Sequence, residues 1–417
     1  MLQTSFTHAP SLEYMGAGGW KALMVNEEPM DVVLGMEGLP GLLWLDSAVT
    51  GPGSVSILGA EPGQVLQGSI DEDWDQVELA LSEGRKKGAG GLAGWVGFDG
   101  RFRLGVYDGL LKYAHDTRQW SVLGRTPAGL NGRSPLAPGA ATRLEFQPLV
   151  SRADYTAAVR RAQEYIAAGD IYQVNVSHPW FAEWPEGART LELYRRLRAV
   201  SPAPHAALVE LGEISVLSAS PELFLKMDGP VITTRPIKGT RPRFPGDPER
   251  DAASARELPL CEKERAELLM ITDLERNDLG QVCEFGSVQT PDLWRVEAFA
   301  QVYHLVSTVT GRLKPGISHA AAFRACFPGG SISGAPKRRA LEIIAELEQH
   351  PRGLYTGAIG CFGFDGSSQW SIAIRTAVKQ GRQISFHAGS GIVADSIPER
   401  EWEETLHKAS GLLSAWS

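Results

Sequence analysis

The sequence predicts a globular protein built from both β-strands and α-helices. Short apolar runs separated by Gly and Pro dominate the first part of the chain, which is typical of antiparallel strands joined by turns. Further along, apolar residues recur three and four positions apart, which indicates amphipathic helices. The composition, 43% hydrophobic and 22% charged over 417 residues, is ordinary for a globular protein. The length allows one large domain or two to three smaller ones.

The charge and the cysteines narrow the class of protein. A formal net charge of −8 argues against nucleic acid as the main partner and suits an enzyme that concentrates positive charge locally. The start of the chain lacks the features of a signal peptide, and no apolar run reaches the roughly 18 residues of a membrane span. The cysteines lack metal-site spacing and are typical of reduced core residues: Cys261, Cys283, Cys326 and Cys361. We therefore expect a cytoplasmic protein without a membrane partner.

Residues 1–125 are predicted to form a strand-rich N-terminal lobe. Three apolar runs, 31–34, 41–45 and 54–58, are its clearest strand candidates. A Gly-rich segment in this lobe resembles a dinucleotide-binding loop, but it lacks the strand–helix–strand spacing and the ribose-binding acid, so no nucleotide role is expected. Residues 126–142 are rich in Gly, Pro and Ala and are predicted to be a linker.

A helix and two strands are predicted after the linker. Ser151 can cap a helix whose apolar residues share one face, and Gly169 can end it. The segments 170–177 and 218–226 are predicted to be strands. The second of them carries Glu222 directly after a proline.

The segment Thr234–Arg241 places Lys238 between a rigid Pro-Ile pair and a flexible Gly-Thr pair. Arginines at 235, 241 and 243 surround this lysine with positive charge, which would lower its pKa or hold an anion beside it. A partly neutral lysine is a nucleophile, whereas a charged lysine binds a carboxylate. A basic surface turn without any function explains the same pattern equally well.

Two predicted helices each carry a Glu-x-x-Glu pair, whose carboxylates lie on one helix face. The pairs are Glu264/Glu267, in a helix predicted over 262–280, and Glu401/Glu404, in a helix that follows a capping box predicted at 396–399. Each pair alone is explained more simply as a solvated acidic face. Together they could share one hard cation such as Mg²⁺, which prefers carboxylate and water oxygens.

Three further segments are candidate ligand sites. His304 lies in an apolar run and alone is more simply a core histidine than a catalytic one. The Gly/Ser segment 327–338 opens a basic helix and could bind an anion through backbone N–H groups. Arg375, with the tight Gly loop 388–393 after it, offers the chemistry of a carboxylate site.

Taken in order, these segments resemble the chorismate-utilising enzymes. The resemblance is carried by DIYQVN, SASPELF, TRPIKGTRPR, KERAELLMITDLERND, His304, GSISGAPK, YTGAIG, IAIRT, GSGIVADS and EREWEET. It covers residues 150–412 densely and the N-terminal lobe loosely. It implies an α+β fold with antiparallel sheets packed face to face and helices outside, in α/β/β/α layers. Residues 143–417 would be the chorismate-binding catalytic region.

Two positions indicate the chemistry within this family. Gln173 stands where relatives that add water to chorismate carry a lysine base, which argues against an isochorismate or salicylate synthase. Lys238 stands where anthranilate synthases commonly carry alanine and aminodeoxychorismate synthases carry lysine. The resemblance therefore implies component I of an aminodeoxychorismate synthase, a transferase of 4-aminobenzoate and folate biosynthesis. The alternatives are component I of an anthranilate synthase and a catalytically inactive regulatory homologue.

The resemblance also implies roles for individual residues. Lys238 would add covalently to chorismate while Glu222 protonates the departing C4 hydroxyl, with His304 lining the ring. The substrate-binding set would be Arg375, Tyr355, Gly389, Gly391, Ser331, Thr240 and Lys408. Mg²⁺ would bind the ring carboxylate, held by Glu264, Glu267, Glu401 and Glu404.

Partners follow from the same resemblance. The chain shows no cysteine elbow followed by a His-x-Glu pair, so a separate glutamine amidotransferase subunit would supply ammonia and a separate aminodeoxychorismate lyase would act downstream. Two residues depart from the family pattern: Leu268, where relatives usually carry His or Asn, and Ser331, where many carry Thr. Ser47 lies in a segment that resembles the tryptophan-binding segment of anthranilate synthases, which makes it the candidate for a tryptophan pocket.

Overall fold

The computed structural model describes residues 19–49, 53–127, 130, 142–299 and 302–417, and both strands and helices occur throughout these ranges. The strands are β1 (Lys21–Leu23), β2 (Leu43–Asp46), β3 (Val55–Gly59), β4 (Gln64–Ser69), β5 (Gly91–Val96), β6 (Arg101–Tyr107), β7 (Gly109–Ala114), β8 (Gln119–Gly124), β9 (Gln147–Pro148), β10 (Gln173–Glu183), β11 (His205–Leu211), β12 (Ile214–Ser220), β13 (Leu223–Asp228), β14 (Val231–Arg235), β15 (Ile237–Pro242), β16 (Gln289–Ala298), β17 (Val302–Arg312), β18 (Gly334–Ala335), β19 (Ala358–Gly363), β20 (Ser367–Ile372), β21 (Thr376–Gln380) and β22 (Gln383–Ile392). The helices are α1 (Pro29–Met36), α2 (Trp74–Lys87), α3 (Arg152–Ala167), α4 (Thr190–Val200), α5 (Pro248–Glu257), α6 (Glu262–Val282), α7 (His319–Cys326), α8 (Lys337–Leu347) and α9 (Pro398–Trp416).

These strands form two antiparallel sheets. The first sheet has the order β1-β8-β7-β3-β2-β11-β12-β21-β22-β10-β18, with β9 beside β10. The second has the order β15-β17-β14-β13-β20-β19-β5-β6-β4, with β16 beside β17. Their neighbouring strands run antiparallel.

The sheets pack face to face and helices cover their outer faces. Between the sheets, Leu43 and Val216 of the first contact Ala93 and Ile359 of the second in one buried cluster. Helices α1, α4 and α9 bury their apolar faces against the first sheet, and α2, α6 and α7 against the second. Because each sheet buries one face against its partner and the other against helices, the layers are α/β/β/α. The predicted fold class is confirmed.

Strands from residues 21–124 enter both sheets. β2 pairs with β11 in the first sheet, and β5 pairs with β19 in the second. Only residues 126, 127, 130 and 142 of the predicted linker 126–142 are described, and the rest lies outside the described residues. The division of the chain at that linker stays a prediction.

Several predicted elements are confirmed and two are wrong. Ser151 caps α3, its side chain accepting from the Asp154 N–H, and α6 and α9 lie where helices were predicted. The run 31–34 is part of helix α1, because Pro29 begins a turn whose buried residues recur at helical spacing. The capping box at 396–399 is also absent, since Ser396 instead accepts from the Val393 N–H. Among the described residues, no helix is long and apolar enough to cross a membrane.

Candidate active site

Two crossings of the chain between the sheets lie side by side. The predicted strand 218–226 is in fact β12 of the first sheet and β13 of the second, with Glu222 between them. The chain crosses back between β20 and β21, where Arg375 lies. The crossings are hydrogen-bonded to each other, because the Ala219 N–H donates to the Arg375 carbonyl (3.0 Å) and the Ile372 N–H to the Glu222 carbonyl (3.1 Å). An acid and a base distant in sequence are thereby held on neighbouring segments.

The Glu222 carboxyl is buried at its crossing, with 6% of the residue exposed. Burial raises its pKa to about 7, although hydrogen bonds from the Ser331 hydroxyl and the Ile237 backbone and the nearby charges of Lys238 and Lys408 act to lower it. A carboxyl with this pKa is about half protonated near neutral pH. It is therefore suited to donate a proton to a leaving group.

Lys238 reaches from the second sheet towards the first. The segment Thr234–Arg241 contains the junction of β14 and β15, which both pair with β17, so it is not the surface turn of the alternative explanation. Gly239 adopts a φ of 72° where the register of β15 shifts, a conformation that glycine takes without strain. The Lys238 Nζ lies 3.5 Å from the position that a Cβ on Gly391 would occupy. Strand β22 of the first sheet thus forms the wall opposite this amine.

The arginines around Lys238 have acidic partners. Arg235 forms an ion pair with the buried carboxylate of Glu297. Arg241 lies 3.3 Å from Glu257 and 3.6 Å from Glu264, and Arg243 lies 3.1 Å from Asp251. The expected excess of positive charge around Lys238 is therefore largely neutralised by carboxylates that are distant in the sequence.

His304 is a buried residue of β17 beside the same bulge. Its Nδ1 lies 3.2 Å from the Gly239 carbonyl and 3.1 Å from the Thr240 hydroxyl. Because a carbonyl oxygen can only accept, the bond to Gly239 places a proton on Nδ1. Burial, with a smaller contribution from Arg375, lowers the pKa of His304 to about 4. The imidazole is neutral at physiological pH and leaves Nε2 as an acceptor.

Two glycines of β22 keep the opposite wall low. A Cβ on Gly389 would lie 2.6 Å from the Val176 carbonyl oxygen, and one on Gly391 would lie 3.1 Å from Gln173 Nε2. A side chain at position 389 would therefore collide with the backbone of β10, and one at position 391 would press on the Gln173 amide. The buried Oε1 of Gln173 has no hydrogen-bond partner among the described residues. The wall thus offers a polar atom to a ligand that approaches Lys238.

Arg375 and Tyr355 are the predicted carboxylate-binding pair. Arg375 has a φ of 50°, and burial lowers the pKa of its guanidinium. No carboxylate among the described residues forms an ion pair with it, so it is suited to an anionic ligand. Tyr355 is buried and stacks on His387 with ring centroids 5.2 Å apart. The left-handed backbone conformation of Arg375 is uncommon for a residue other than glycine and is often found at binding sites.

The four glutamates lie on α6 and α9, as predicted. Burial and the nearby carboxylates of Glu264 and Glu404 raise the pKa of Glu267, so these side chains interact across the two helices. Glu401 is buried, with 6% exposed. No three His, Cys, Asp or Glu side chains converge into a metal-type cluster in the part of the chain that the structure describes. The donors nevertheless match Mg²⁺ in type, since this ion needs few carboxylates and keeps several waters.

Lys408 connects α9 to the glycine wall. Its Nζ donates to the Gly389 carbonyl (3.0 Å) and lies 2.7 Å from the Glu404 carboxylate. Burial acts to raise the pKa of Glu404, but the ion pair with Lys408 and the nearby charges of Lys238 and Lys263 together lower that pKa. The glutamate pair of α9 is thereby linked to the β22 segment that faces Lys238.

Two other predicted positions lie in different surroundings. The Ser47 hydroxyl donates to the Val49 carbonyl (2.8 Å) and is buried next to Asp46, whose carboxylate binds Arg198 at 2.6 Å. Whether tryptophan binds there stays a prediction. Leu268 is fully buried in a cluster with Leu258 and Tyr303, so its apolar character serves the core.

Sequence reasoning missed two buried carboxylates on the inner face of α6. Glu275 is 2% exposed and Asp278 is 3% exposed. They belong to a set of buried residues that mostly recur three and four positions apart: Leu268, Ile271, Thr272, Glu275, Asp278, Leu279 and Val282. A carboxylate in the apolar stripe of an amphipathic helix is the signal that would have found them.

The chain is similar to two named groups of curated proteins. It is 48% identical over 295 residues to anthranilate synthase component 1 of Streptomyces coelicolor, covering 69% of this chain and 57% of that protein. It is 44% identical over 303 residues to an aminodeoxychorismate synthase of Streptomyces griseus, covering 72% of this chain and 42% of that protein. The chain thus spans about half the length of the curated relatives it matches.

Solved structures and a family profile indicate the same family as these curated relatives. Anthranilate synthase component I from Streptococcus pneumoniae superposes with a TM-score of 0.75 at 29% identity, covering 87% of this chain and 93% of that one. The menaquinone-specific isochorismate synthase of Escherichia coli shares the fold, with a TM-score of 0.80 at 17% identity over 96% of this chain and 95% of that one. The sequence profile described as chorismate binding enzyme matches residues 79–414. The chain therefore belongs to the chorismate binding enzyme family.

Proposed function

We propose that this chain is component I of an aminodeoxychorismate synthase, which converts chorismate and ammonia to 4-amino-4-deoxychorismate. The observation that carries the proposal is the pairing of an amine with an acid in one site. Lys238 faces Gly391 across the space between the sheets, and its charge acts on the buried, half-protonated Glu222. A nucleophile beside a general acid suits displacement of a hydroxyl group.

The chemistry proceeds in two displacements. The Lys238 amine forms a bond to C2 of chorismate, the ring double bond shifts, and the C4 hydroxyl leaves as water with the proton of Glu222. Ammonia then forms a bond to C4, the double bond shifts back, the lysine amine leaves C2, and the new C4 ammonium group returns a proton to Glu222. The net reaction consumes chorismate and ammonia and releases water. Neutral His304 lines the ring, and Arg375, Tyr355 and the amides near Gly389 and Gly391 hold the enolpyruvyl carboxylate.

The remaining polar residues of the site hold the catalytic side chains in place and would hold the metal ion. Ser331 and Thr240 hold Glu222 and His304 in place through the hydrogen bonds described above. Glu264, Glu267, Glu401 and Glu404 would hold Mg²⁺, which when bound supplies positive charge for the ring carboxylate. Lys408, one turn after Glu404 on α9, adds a second positive charge beside these glutamates.

The ammonia source is a further part of the proposal. A separate glutamine amidotransferase subunit would release ammonia into this site, and a separate lyase would convert the aminated product to 4-aminobenzoate. We expect the purified chain to use ammonium salts and not glutamine, because no glutaminase nucleophile was found in its sequence.

Component I of an anthranilate synthase is the second candidate. It is favoured by the identity of 48% to the Streptomyces coelicolor anthranilate synthase component, against 44% to the aminodeoxychorismate synthase of Streptomyces griseus. In that reaction the ring would lose pyruvate and become aromatic, and Lys238 would have no covalent role. The two candidates therefore differ in product.

The deciding experiment is a product assay. The purified chain is incubated with chorismate, Mg²⁺ and ammonium, and the products are separated by chromatography. We expect a non-aromatic aminated chorismate without released pyruvate, and we expect its formation to stop when EDTA removes the metal and to resume when Mg²⁺ is restored. Anthranilate with an equal amount of pyruvate would establish the second candidate. Undiminished turnover in EDTA would contradict the metal site alone.

Replacing Arg375 tests the carboxylate site. In Arg375→Lys a charge remains but the paired N–H donors of the guanidinium are lost, so we expect the KM for chorismate to rise roughly tenfold to a hundredfold, corresponding to about 1.5–3 kcal/mol. Steady-state kinetics measures this. Arg382→Lys, on the exposed turn before β22, is the control and should leave KM unchanged. An unaltered KM in Arg375→Lys would remove this residue from the binding set.

A further inference from the structure

Glu275 binds the loop that carries one of the partners of Glu222. Its Oε1 accepts the Gly330 N–H at 3.0 Å, and its Oε2 accepts the Thr234 hydroxyl at 3.4 Å. Gly330 precedes Ser331, whose side chain interacts with the Glu222 carboxyl and acts to lower its pKa. The segment that Glu275 anchors from the inner face of α6 therefore also carries a partner of the general acid.

The loop is packed tightly against α6. A Cβ on Gly330 would lie 2.8 Å from Leu274 Cδ2 and 3.1 Å from Glu275 Oε1. Only a residue without a side chain brings the backbone this close to the helix. The position of the Ser331 hydroxyl is therefore set by the contact between Gly330 and Glu275.

Titratable groups face Glu275 from its own helix and from three other parts of the chain. Asp278 lies one turn further along α6, Lys337 begins α8, Cys326 ends α7, and Glu222 lies between β12 and β13. Lys337 forms an ion pair with Asp278, so its charge is already matched. Burial, the nearby charge of Asp278 and that of Glu222 raise the pKa of Glu275 to about 7, while Lys337 acts to lower it.

Glu222 faces a different set of charges. Lys238 on β15 and Lys408 on α9 act to lower its pKa, and its own negative charge is one of those that raise the pKa of Glu275 on α6. The repulsion between two buried carboxylates acts equally on both, so ionisation of Glu275 opposes ionisation of Glu222. The pair therefore keeps a proton to higher pH than Glu222 would keep alone.

We propose that Glu275 is a positioning residue for Glu222: it anchors the Gly330–Ser331 segment beside the general acid, and the negative charge that it acquires as the pH rises holds the proton on Glu222. Glu275 itself donates nothing to the substrate. The inference rests on the proposed role of Glu222 as the acid of the reaction, and it does not depend on which product is formed.

The first test is the pH profile of Glu275→Gln. Glutamine keeps the shape and an oxygen for the Gly330 N–H but cannot ionise. We expect the alkaline limb of kcat, read from the loss of chorismate, to move down by about one pH unit, with KM unchanged. Asp273→Asn, an exposed carboxylate of the same helix paired with Arg276, is the control and should leave the limb in place.

The outcomes separate this proposal from the proposed function. A lower limb in Glu275→Gln supports the inference whether the product is aminated chorismate or anthranilate, because only chorismate is followed. If the alkaline limb of kcat does not move in Glu275→Gln, the inference about Glu275 is overturned. A rise in KM without movement of the limb is the result expected of a purely structural residue.

A second measurement needs no activity and no change at Glu275. The side-chain carboxyls of ¹³C-glutamate-labelled protein are titrated by NMR in the unmodified chain and in Glu222→Gln. We expect the Glu275 carboxyl to titrate at lower pH in Glu222→Gln than in the unmodified chain, because its charged neighbour is gone. Identical titration in the two proteins would overturn the coupling even if Glu275→Gln failed to fold.

Discussion

Lys238→Ala is expected to lower the rate of amination by about 10²–10⁴-fold, the range for a side chain that acts directly in a reaction. The alanine removes the amine whose Nζ lies 3.5 Å from the position of a Cβ on Gly391. Without it, ammonia must displace the C4 hydroxyl without a covalent intermediate. Chorismate affinity should fall less than the rate, because Arg375 and the glycine wall still bind the carboxylate.

The covalent step gives a second measurement. The unmodified chain, supplied with chorismate and Mg²⁺ but no ammonia, should show by mass spectrometry an adduct on the peptide that contains Lys238, and Lys238→Ala should show none. Lys86→Ala on the exposed face of α2 is the matched control and should retain full activity. Aminated product formed at the normal rate by Lys238→Ala would contradict the proposed mechanism and favour the anthranilate synthase alternative.

Glu222→Gln is expected to lower kcat by about 10²–10⁴-fold, because the amide cannot give a proton to the departing hydroxyl. In the unmodified chain the reaction should decline as the pH rises through about 7, where Glu222 loses its proton. That decline should be absent from the residual activity of the variant. Steady-state rates across the pH range measure both effects.

The same substitution is expected to stabilise the fold at alkaline pH. Burial raises the pKa of Glu222 to about 7 from an ordinary value of 4.5, so the native state holds this proton more tightly than the unfolded state. The resulting stability is complete below about pH 4.5 and is lost as the pH rises through 7. At pH 8 a buried carboxylate of this kind costs roughly 3 kcal/mol, which glutamine avoids.

Urea unfolding at pH 5 and pH 8 tests this sign. Glu222→Gln should gain unfolding free energy over the unmodified chain at pH 8 and much less at pH 5. Glu213→Gln, in the exposed turn between β11 and β12, should change neither value. If Glu222→Gln were less stable than the unmodified chain at pH 8, the buried carboxylate of Glu222 would not be destabilising the fold. A gain in stability with a loss in rate is the usual sign of a functional group kept at a cost to the fold.

The sequence was most informative where one element carries its own pattern. Helices α3, α6 and α9 were predictable because their apolar residues recur at helical spacing over many turns. The strand expected at 31–34 failed because a run of four apolar residues is too short to separate the two periods, and Pro29 began a helix there. Motif order along the chain identified the chorismate-utilising family, which the profile over residues 79–414 bears out.

The partners of the site residues were not predictable in the same way. The arginines near Lys238 looked like a source of excess charge, yet Glu297, Glu257 and Asp251 pair with them from other elements. Glu222 was placed within one strand, whereas it lies where the chain passes from one sheet to the other. Both errors concern residues that meet only after the sheets have packed.

The sequence by itself determined helices α3, α6 and α9 and the family, and it supplied the candidate site residues, because those are recorded in local spacing and in residue type. Only the tertiary structure decided what each charge faces. The two sheet crossings bring Glu222 and Arg375 together, the packing of α6 brings Glu275 under the Ser331 loop, and burial raises the pKa of both Glu222 and Glu275 to about 7. Burial and charge pairing depend on distances in space, so no local pattern in the chain could have given them.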